Sequence, residues 1–434
     1  MKAVRVLVRY GRFSCLAALF GCTVYHPLPL GVGAAFDLAP GGGRLLTVGA
    51  VGALAVRDDP ALVAARAARG VASAELLAAG RPPDPVLSGG FAALLGGPGA
   101  MPAISAGLTE DLSALVTYRA DRAAAKAGVR QVDAGILWQE WQVAAQAEQL
   151  CVSLRADDAV LASLNGDDAA LRAESAAVAA AVAAGNLTLA DQSAVAAALA
   201  GVEDAQNSAA ATRAQDLDQL DGLLDLAPGT ALSIAPGAPP AISPAEARLA
   251  LGSLPTRRPD LIALRYGYEQ ADAKLRSAIL AQFLPVSLGA AGGRDTSDVV
   301  SAGPQFSLTL PLFSHNRPAI AAAEATRAVL RAQYQASLDD AAAGVMSLNA
   351  TLARLGPEAA RADAAAASAG RAAAAARAAF AAGTLDARAE TDFIVAAGER
   401  RRTAVLLHEQ IDTATLSLAT MAGIGLPPVT EPEA

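Results

Sequence analysis

The chain alternates between long stretches with an apolar residue every three or four positions and short stretches with one every second position. RRPDLIALRYGYEQADAKLRSAILAQFLPVSLG, from Arg257 to Gly289, holds both patterns. Pro259 suits the first turn of a helix, where its missing N–H leaves no bond unmade. Leu261, Leu264, Tyr268, Ala271, Leu275 and Ile279 follow at helical spacing with charged residues between them, which predicts a helix. Pro285 should stop it. Val286, Leu288 and Ala290 then alternate with Ser287 and Gly289, the period of a strand. Further on, PQFSLTLPLF sets Phe306, Leu308 and Leu310 against Ser307 and Thr309. The two runs predict a hairpin with strands at about 285–294 and 303–312.

The pattern occurs twice. DDPALVAARAARGVASAELLAAGRPPDPVLSGG (Asp58 to Gly90) parallels the stretch above, with Pro60 and Pro259 199 residues apart. AAVAAGNLTLADQSA (Ala180 to Ala194) parallels AAFAAGTLDARAETD (Ala378 to Asp392), with Gly185 and Gly383 198 apart. A duplication follows. Each copy reads as helix, β-hairpin, very long helix, glycine-centred turn and returning helix. In the first copy the strands fall at about 85–95 and 102–112 and the long helix at about 112–184, which approaches ~100 Å at the helical rise. Asn165–Gly166 and Gly356–Pro357 predict kinks or breaks in the two long helices. The returning helices are expected at about 189–223 and 387–422. The division along the chain is then 1–21 signal peptide, 22–49 extended arm, 50–225 first repeat (hairpin about 85–112), 226–249 Pro/Gly-rich linker, 250–425 second repeat (hairpin about 285–312) and 426–434 tail.

Composition narrows the function. Hydrophobic residues make up 53% of the chain but aromatics only 4%, because nearly half of the apolar count is alanine. Alanine favours helices packed at close range and fills little core volume. A net charge of −8 argues against a nucleic-acid partner, which needs a basic surface. At the N-terminus Lys2, Arg5, Arg9 and Arg12 precede an apolar run, Phe13 to Phe20, too short to span a membrane. LFGC (Leu19 to Cys22) resembles a bacterial lipobox with a bulkier Phe20 than usual; an ordinary signal peptide is the other reading. With Cys22 lipidated, Cys151 is the remaining free thiol of the mature chain and is expected to be a small buried apolar residue.

Catalytic and metal motifs are lacking. His26, His315 and His408 have no ligand spacing with Cys or Glu. LLGGPGA (Leu94 to Ala100) lacks the Lys-Ser/Thr of a phosphate loop, and no nucleophile elbow or HExxH occurs. Trp138 and Trp141 share a helix face and are expected to pack between helices.

Strands of about ten residues approach the length that crosses a bilayer. Two hairpins give four strands, too few to close a barrel, and lipid does not tolerate open sheet edges. Three copies would supply twelve strands. LFGC, the RRPDLIALR…FLPVSLG block, GPQFSLTLPLF, the paired AAG turns and ILWQEWQVA together resemble the outer membrane efflux protein family, the TolC-like outer membrane factors, in its lipoprotein branch. The resemblance implies a mainly α fold with β: a homotrimer with a 12-stranded transmembrane β-barrel and a periplasmic α-helical barrel. It implies an exit duct without enzymatic activity or cofactor, passing drugs or metal ions outward. The implied partners are outer-membrane lipid, a periplasmic adaptor (membrane fusion protein) and an inner-membrane pump of the resistance–nodulation–division (RND) type. It implies lipidation at Cys22, adaptor docking at Gly185, Asn186, Leu187, Gly383, Thr384 and Leu385, and a gate at Asp191 and Asp392. Ala389 stands where many members carry a further Asp, so a double acidic ring is not expected. The competing reading is a periplasmic coiled-coil structural lipoprotein without a pore.

Overall fold

The computed structural model describes residues 25–28, 30, 45–93, 95–96, 101–230, 232–283, 286–309 and 313–425. The chain divides into two units, Met1–Asp37 and Leu38–Ala434. Residues 25–28 and 30 of the first unit carry no regular structure. The signal region, Cys22, Pro285 and the 426–434 tail lie outside the described residues.

In the second unit, caps mark where the helices start. Thr47 caps α1 (Val48–Asp58), accepting from the Ala50 N–H. Asp59 caps α2 (Pro60–Ala79), with Oδ1 accepting from the Leu62 N–H at 2.7 Å. Strands β1 (Val86–Ala92) and β2 (Ala103–Asp111) follow, then α3 (Ser113–Ala183) and α4 (Leu189–Leu223). Two short helices, α5 (Pro244–Leu251) and α6 (Leu254–Arg257), lead into α7 (Pro259–Leu280). The second half repeats the order with β3 (Val286–Arg294), β4 (Val300–Leu308), α8 (Arg317–Ala381) and α9 (Ala387–Ala422). The four strands make one antiparallel sheet in the order β1-β2-β3-β4.

Two sequence expectations need correction. Helices α3 and α8 run without a break through Asn165–Gly166 and through Gly356–Pro357, which corrects the breaks expected there. Packing outweighs local propensity at both places. Leu164, Asp167 and Leu171 are buried on either side of the first, and the Asn165 side chain accepts from Gln206 of α4 at 2.9 Å instead of capping its own helix. Buried Leu355 and Ala359 hold the second in the helix seam, while Pro357 faces solvent. The second correction concerns β4, which begins at Val300, not near 303. The hairpin closes early because Asp295 Oδ1 accepts from the N–H groups of Ser297 (2.9 Å) and Val299 (3.0 Å), with Asp298 at φ 67°. Helix α7 likewise ends at Leu280, ahead of Pro285.

The core is a series of helix seams. Val51 and Ala55 of α1 pack with Leu150, Cys151 and Leu154 of α3 and with Leu220 and Leu224 of α4. The Pro/Gly-rich stretch between the repeats is built into this cluster through Leu226 and Ile234. Leu46 and Ile234 form a parallel bridge. Leu254, Leu261, Val345 and Leu418 make the corresponding cluster of α6, α7, α8 and α9. Toward the turns, Leu164 and Leu171 of α3 meet Val202 of α4 and Ile394 of α9, and then Val178 meets Val195 and Ala387.

Candidate functional site: the sheet and the paired helix turns

Residues directly opposite in an antiparallel ladder point to the same side, so the register sorts the sheet into two faces. One face carries Leu87 and Phe91 of β1, Ile104, Ala106 and Leu108 of β2, Leu288 and Ala290 of β3, and Val300, Phe306 and Leu308 of β4. The other carries Ser88, Ser105, Gly107, Thr109, Ser287, Gly289, Ser301, Gln305 and Ser307. The apolar face is bare: Leu87 is 77% exposed, and Val300 and Phe306 are each 75% exposed. Its charged members sit near strand ends. Glu110 lies next to the last residue of β2, and Arg294 closes β3 beside Asp298 at 3.4 Å. Glycine at 289 and 293 brings β2 and β3 close, since a Cβ there would meet the β2 backbone. An apolar face opposed by a face of small polar residues suits lipid on one side and water on the other. No helix among the described residues is long and apolar enough to cross a membrane.

At the far end of the long helices the two turns have one construction. Gly185 (φ 78°) and Gly383 (φ 70°) adopt the left-handed conformation. The Asn186 N–H donates to the Ala181 carbonyl at 2.8 Å, and the Thr384 N–H to the Ala379 carbonyl at 2.9 Å, the six-to-one bond of a Schellman cap. Gly185, Asn186, Gly383 and Thr384 are exposed; Leu187 and Leu385 are half-buried. The following helices start differently. Thr188 and Asp191 form a capping box at α4, in which Asp191 Oδ2 accepts from the Thr188 N–H (2.9 Å) and hydroxyl (2.7 Å). These bonds hold the Asp191 carboxyl below its ordinary pKa. At α9 the cap is Asp386, accepting from the Ala389 N–H at 2.8 Å, and Asp392 is exposed one turn further on.

Behind the turns lies a buried polar seam that the sequence motifs miss. Glu174 of α3 and Glu390 and Thr391 of α9 are each at most 5% exposed. The Thr391 hydroxyl lies 2.7 Å from Glu174 Oε1 and 2.9 Å from the Ala387 carbonyl. One carboxyl oxygen of Glu174 and one of Glu390 have no hydrogen-bond partner among the described residues. Arg377 of α8 is 3.9 Å from Glu390. Burial pushes the Glu174 pKa up to about 7, with Glu390 adding to the effect and Thr391 and Arg377 opposing it. Two turns along, buried Asp167 pairs with Arg401 and Arg402 of α9. Gly398 makes room for that carboxylate, because a Cβ there would collide with it.

The remaining candidates are structural. Trp138 and Trp141 stack at a tilt with centroids 6.3 Å apart, and Arg258 lies over Trp138 at 4.8 Å. Cys151 is fully buried, and its thiol is pushed up to about 12 by burial. His408 sits 3.1 Å from Asp363, and His315 occupies the turn before α8 with φ 44°.

Residues 250–424 match the family described as outer membrane efflux protein. No curated protein matches the sequence. Three solved structures share the fold at low identity. A membrane protein from Pseudomonas aeruginosa gives a TM-score of 0.75 at 18% identity, covering 92% of this chain and 99% of its own. The CmeC outer membrane channel of Campylobacter jejuni gives 0.73 at 14%, covering 94% and 96%. The outer membrane protein VceC of Vibrio cholerae gives 0.72 at 18%, covering 87% and 96%. Residues 250–424 thus carry the sequence pattern of the outer membrane efflux protein family, and nearly the whole chain shares the mainly helical fold of these solved outer membrane channels.

Proposed function

We propose that three copies of this chain close their sheets into a twelve-stranded barrel in the outer membrane and their helices into a periplasmic duct, through which solutes leave the cell. The observation that carries this reading is the sheet, with its bare apolar face, its polar face and the open edges of β1 and β4. In lipid, backbone groups on an open edge have no water to bind, and each costs several kcal/mol. Pairing β4 of one copy with β1 of the next removes every edge.

The duct performs no chemistry of its own. Lipid on Cys22 anchors it. A periplasmic adaptor docks on the exposed turns Gly185–Asn186–Leu187 and Gly383–Thr384–Leu385 and joins the duct to an inner-membrane RND pump, which selects the solute, whether drug or metal ion. Asp191, fixed in its capping box, and exposed Asp392 supply negative charge beside the entrance and form the gate. The identical construction of the two turns supports a shared docking role.

The test is the mass of the mature protein extracted from outer membranes in mild detergent, corrected for bound detergent. Three chains that fall to one on boiling, with conductance in a planar bilayer, are the expected result. A monomer, or recovery from the soluble periplasm, would remove the barrel and leave a coiled-coil lipoprotein without a pore.

A further inference from the structure

A cleft of about 940 Å³ lies between the end of α2 and the first turns of α3. Arg119, Arg122 and Lys126 recur at i, i+3 and i+7 and so share one face of α3. Arg81, just past the end of α2, completes a lining with four cations and no carboxylate, in a chain whose net charge is −8. The Tyr118 hydroxyl donates to the Gly80 carbonyl at 2.9 Å and holds the two helices together here. All four cations are exposed, and none forms an ion pair with a described residue. Leu77, 59% exposed, lies in the same lining.

The position adds to the chemistry. Arg81 stands shortly before β1 and Arg119 shortly after β2, so the cleft reaches no more than about 20 Å along α3 from the foot of the sheet. Unpaired cations, an amphipathic Tyr and an exposed Leu at that level are what a lipid headgroup region selects, with the charged heads in the polar layer and the stems against hydrocarbon. Basic pockets beside membrane segments bind anionic headgroups for the same reason. We infer that this cleft binds the headgroup of an anionic phospholipid of the periplasm-facing leaflet, with the phosphate among Arg81, Arg119, Arg122 and Lys126 and an acyl chain along Leu77 toward the sheet. The inference rests on the reading of the sheet as the membrane-crossing element.

The test uses the full-length protein in nanodiscs of phosphatidylcholine with increasing phosphatidylglycerol, followed by mild re-extraction and mass spectrometry of the retained lipid. Retention of phosphatidylglycerol in preference to phosphatidylcholine is expected. R119Q/R122Q is expected to raise the phosphatidylglycerol fraction needed for half-occupancy on the order of twentyfold, at about fivefold per cation. R361Q/R371Q removes two exposed arginines of α8 and is expected to change nothing. Equal retention of the two lipids, or the same loss in both double variants, overturns the inference. Displacement of the lipid by millimolar inorganic phosphate also overturns it, since the site would then be one for soluble anions. If R119Q/R122Q dissociates the trimer without any lipid preference to lose, the cations face a neighbouring copy and the lipid site falls. Mass and conductance are read on the same preparations. A conducting trimer that shows no headgroup preference sinks the lipid site alone, whereas a chain that never forms a trimer sinks the duct reading and this site with it.

Discussion

A carboxylate placed in a helix seam needs either a cation or a proton, and this chain uses both solutions. Leu164, Asp167, Leu171, Glu174 and Val178 recur three and four residues apart, and all five are buried. Asp167 is met by two arginines. Glu174 has a hydroxyl and no cation of its own, so the proton is the available partner. A protonated Glu174 donates to Thr391, whose own hydroxyl proton then goes to the Ala387 carbonyl. The folded chain thus holds this proton more tightly than the unfolded chain, where the pKa is the ordinary 4.5. The stability it contributes is fully present below about pH 4.5, falls as the pH rises through about 7, and is flat above that. Ionised Glu174 costs about 3 kcal/mol at pH 8. Glu174→Gln is therefore expected to melt a few degrees higher than wild type at pH 8 and to lose that advantage toward pH 5. A melting difference that stays constant over this range would show that Glu174 does not titrate in the seam.

Legibility differs sharply between elements. Helix and strand periods were readable wherever side-chain pattern and backbone geometry agree, as in α7 with its Leu261 and Leu275 or β3 with its alternating Val286 and Leu288. Gly356–Pro357 has the composition of a helix break but does not make one, because the burial of Leu355 and Ala359 on either side leaves no mark beside the proline in the sequence. The same limit hid the Glu174 site. A heptad-spaced acid in an alanine-rich helix was visible, but its partner Thr391 lies 217 residues away. The turn geometry at Gly185 and Gly383 was readable because one residue type suits a positive φ. Pro357 gives the element-scale prediction. It is exposed and supplies no N–H to the turn before it, which weakens the middle of α8. Pro357→Ala should restore that bond, stabilise the helix by about 1–3 kcal/mol and slow hydrogen exchange around 350–360 on the order of tenfold. Faster exchange would mean that the packing of Leu355 and Ala359 depends on a bend at the proline.

At the scale of the whole molecule, the proposed trimeric barrel requires one side of the sheet to meet lipid and the other to line the lumen. Neighbouring residues of β3 put it to a direct test. Ala290 pairs with Leu108 and Pro304, on the face with Leu288 and Phe306, while Ala291 pairs with Gly107 and Gly303 on the face with Ser105 and Ser301. Both sit near the middle of a nine-residue strand, so a lysine at either lies at a similar depth. Lysine on the lipid side near the bilayer midplane costs about 2–4 kcal/mol, whereas a lumen position keeps it in water. Ala290→Lys should sharply reduce the yield of heat-modifiable trimer. Ala291→Lys should assemble as wild type and shift the channel's ion selectivity toward anions, because three added ammonium groups would ring the same level of the lumen. The two faces differ in hydrophobicity but not in backbone geometry, so an unchanged trimer with Ala290→Lys and a failed one with Ala291→Lys would invert the assignment. Equal tolerance of both would mean that neither face contacts hydrocarbon, and the sheet would then not be the element that crosses the membrane.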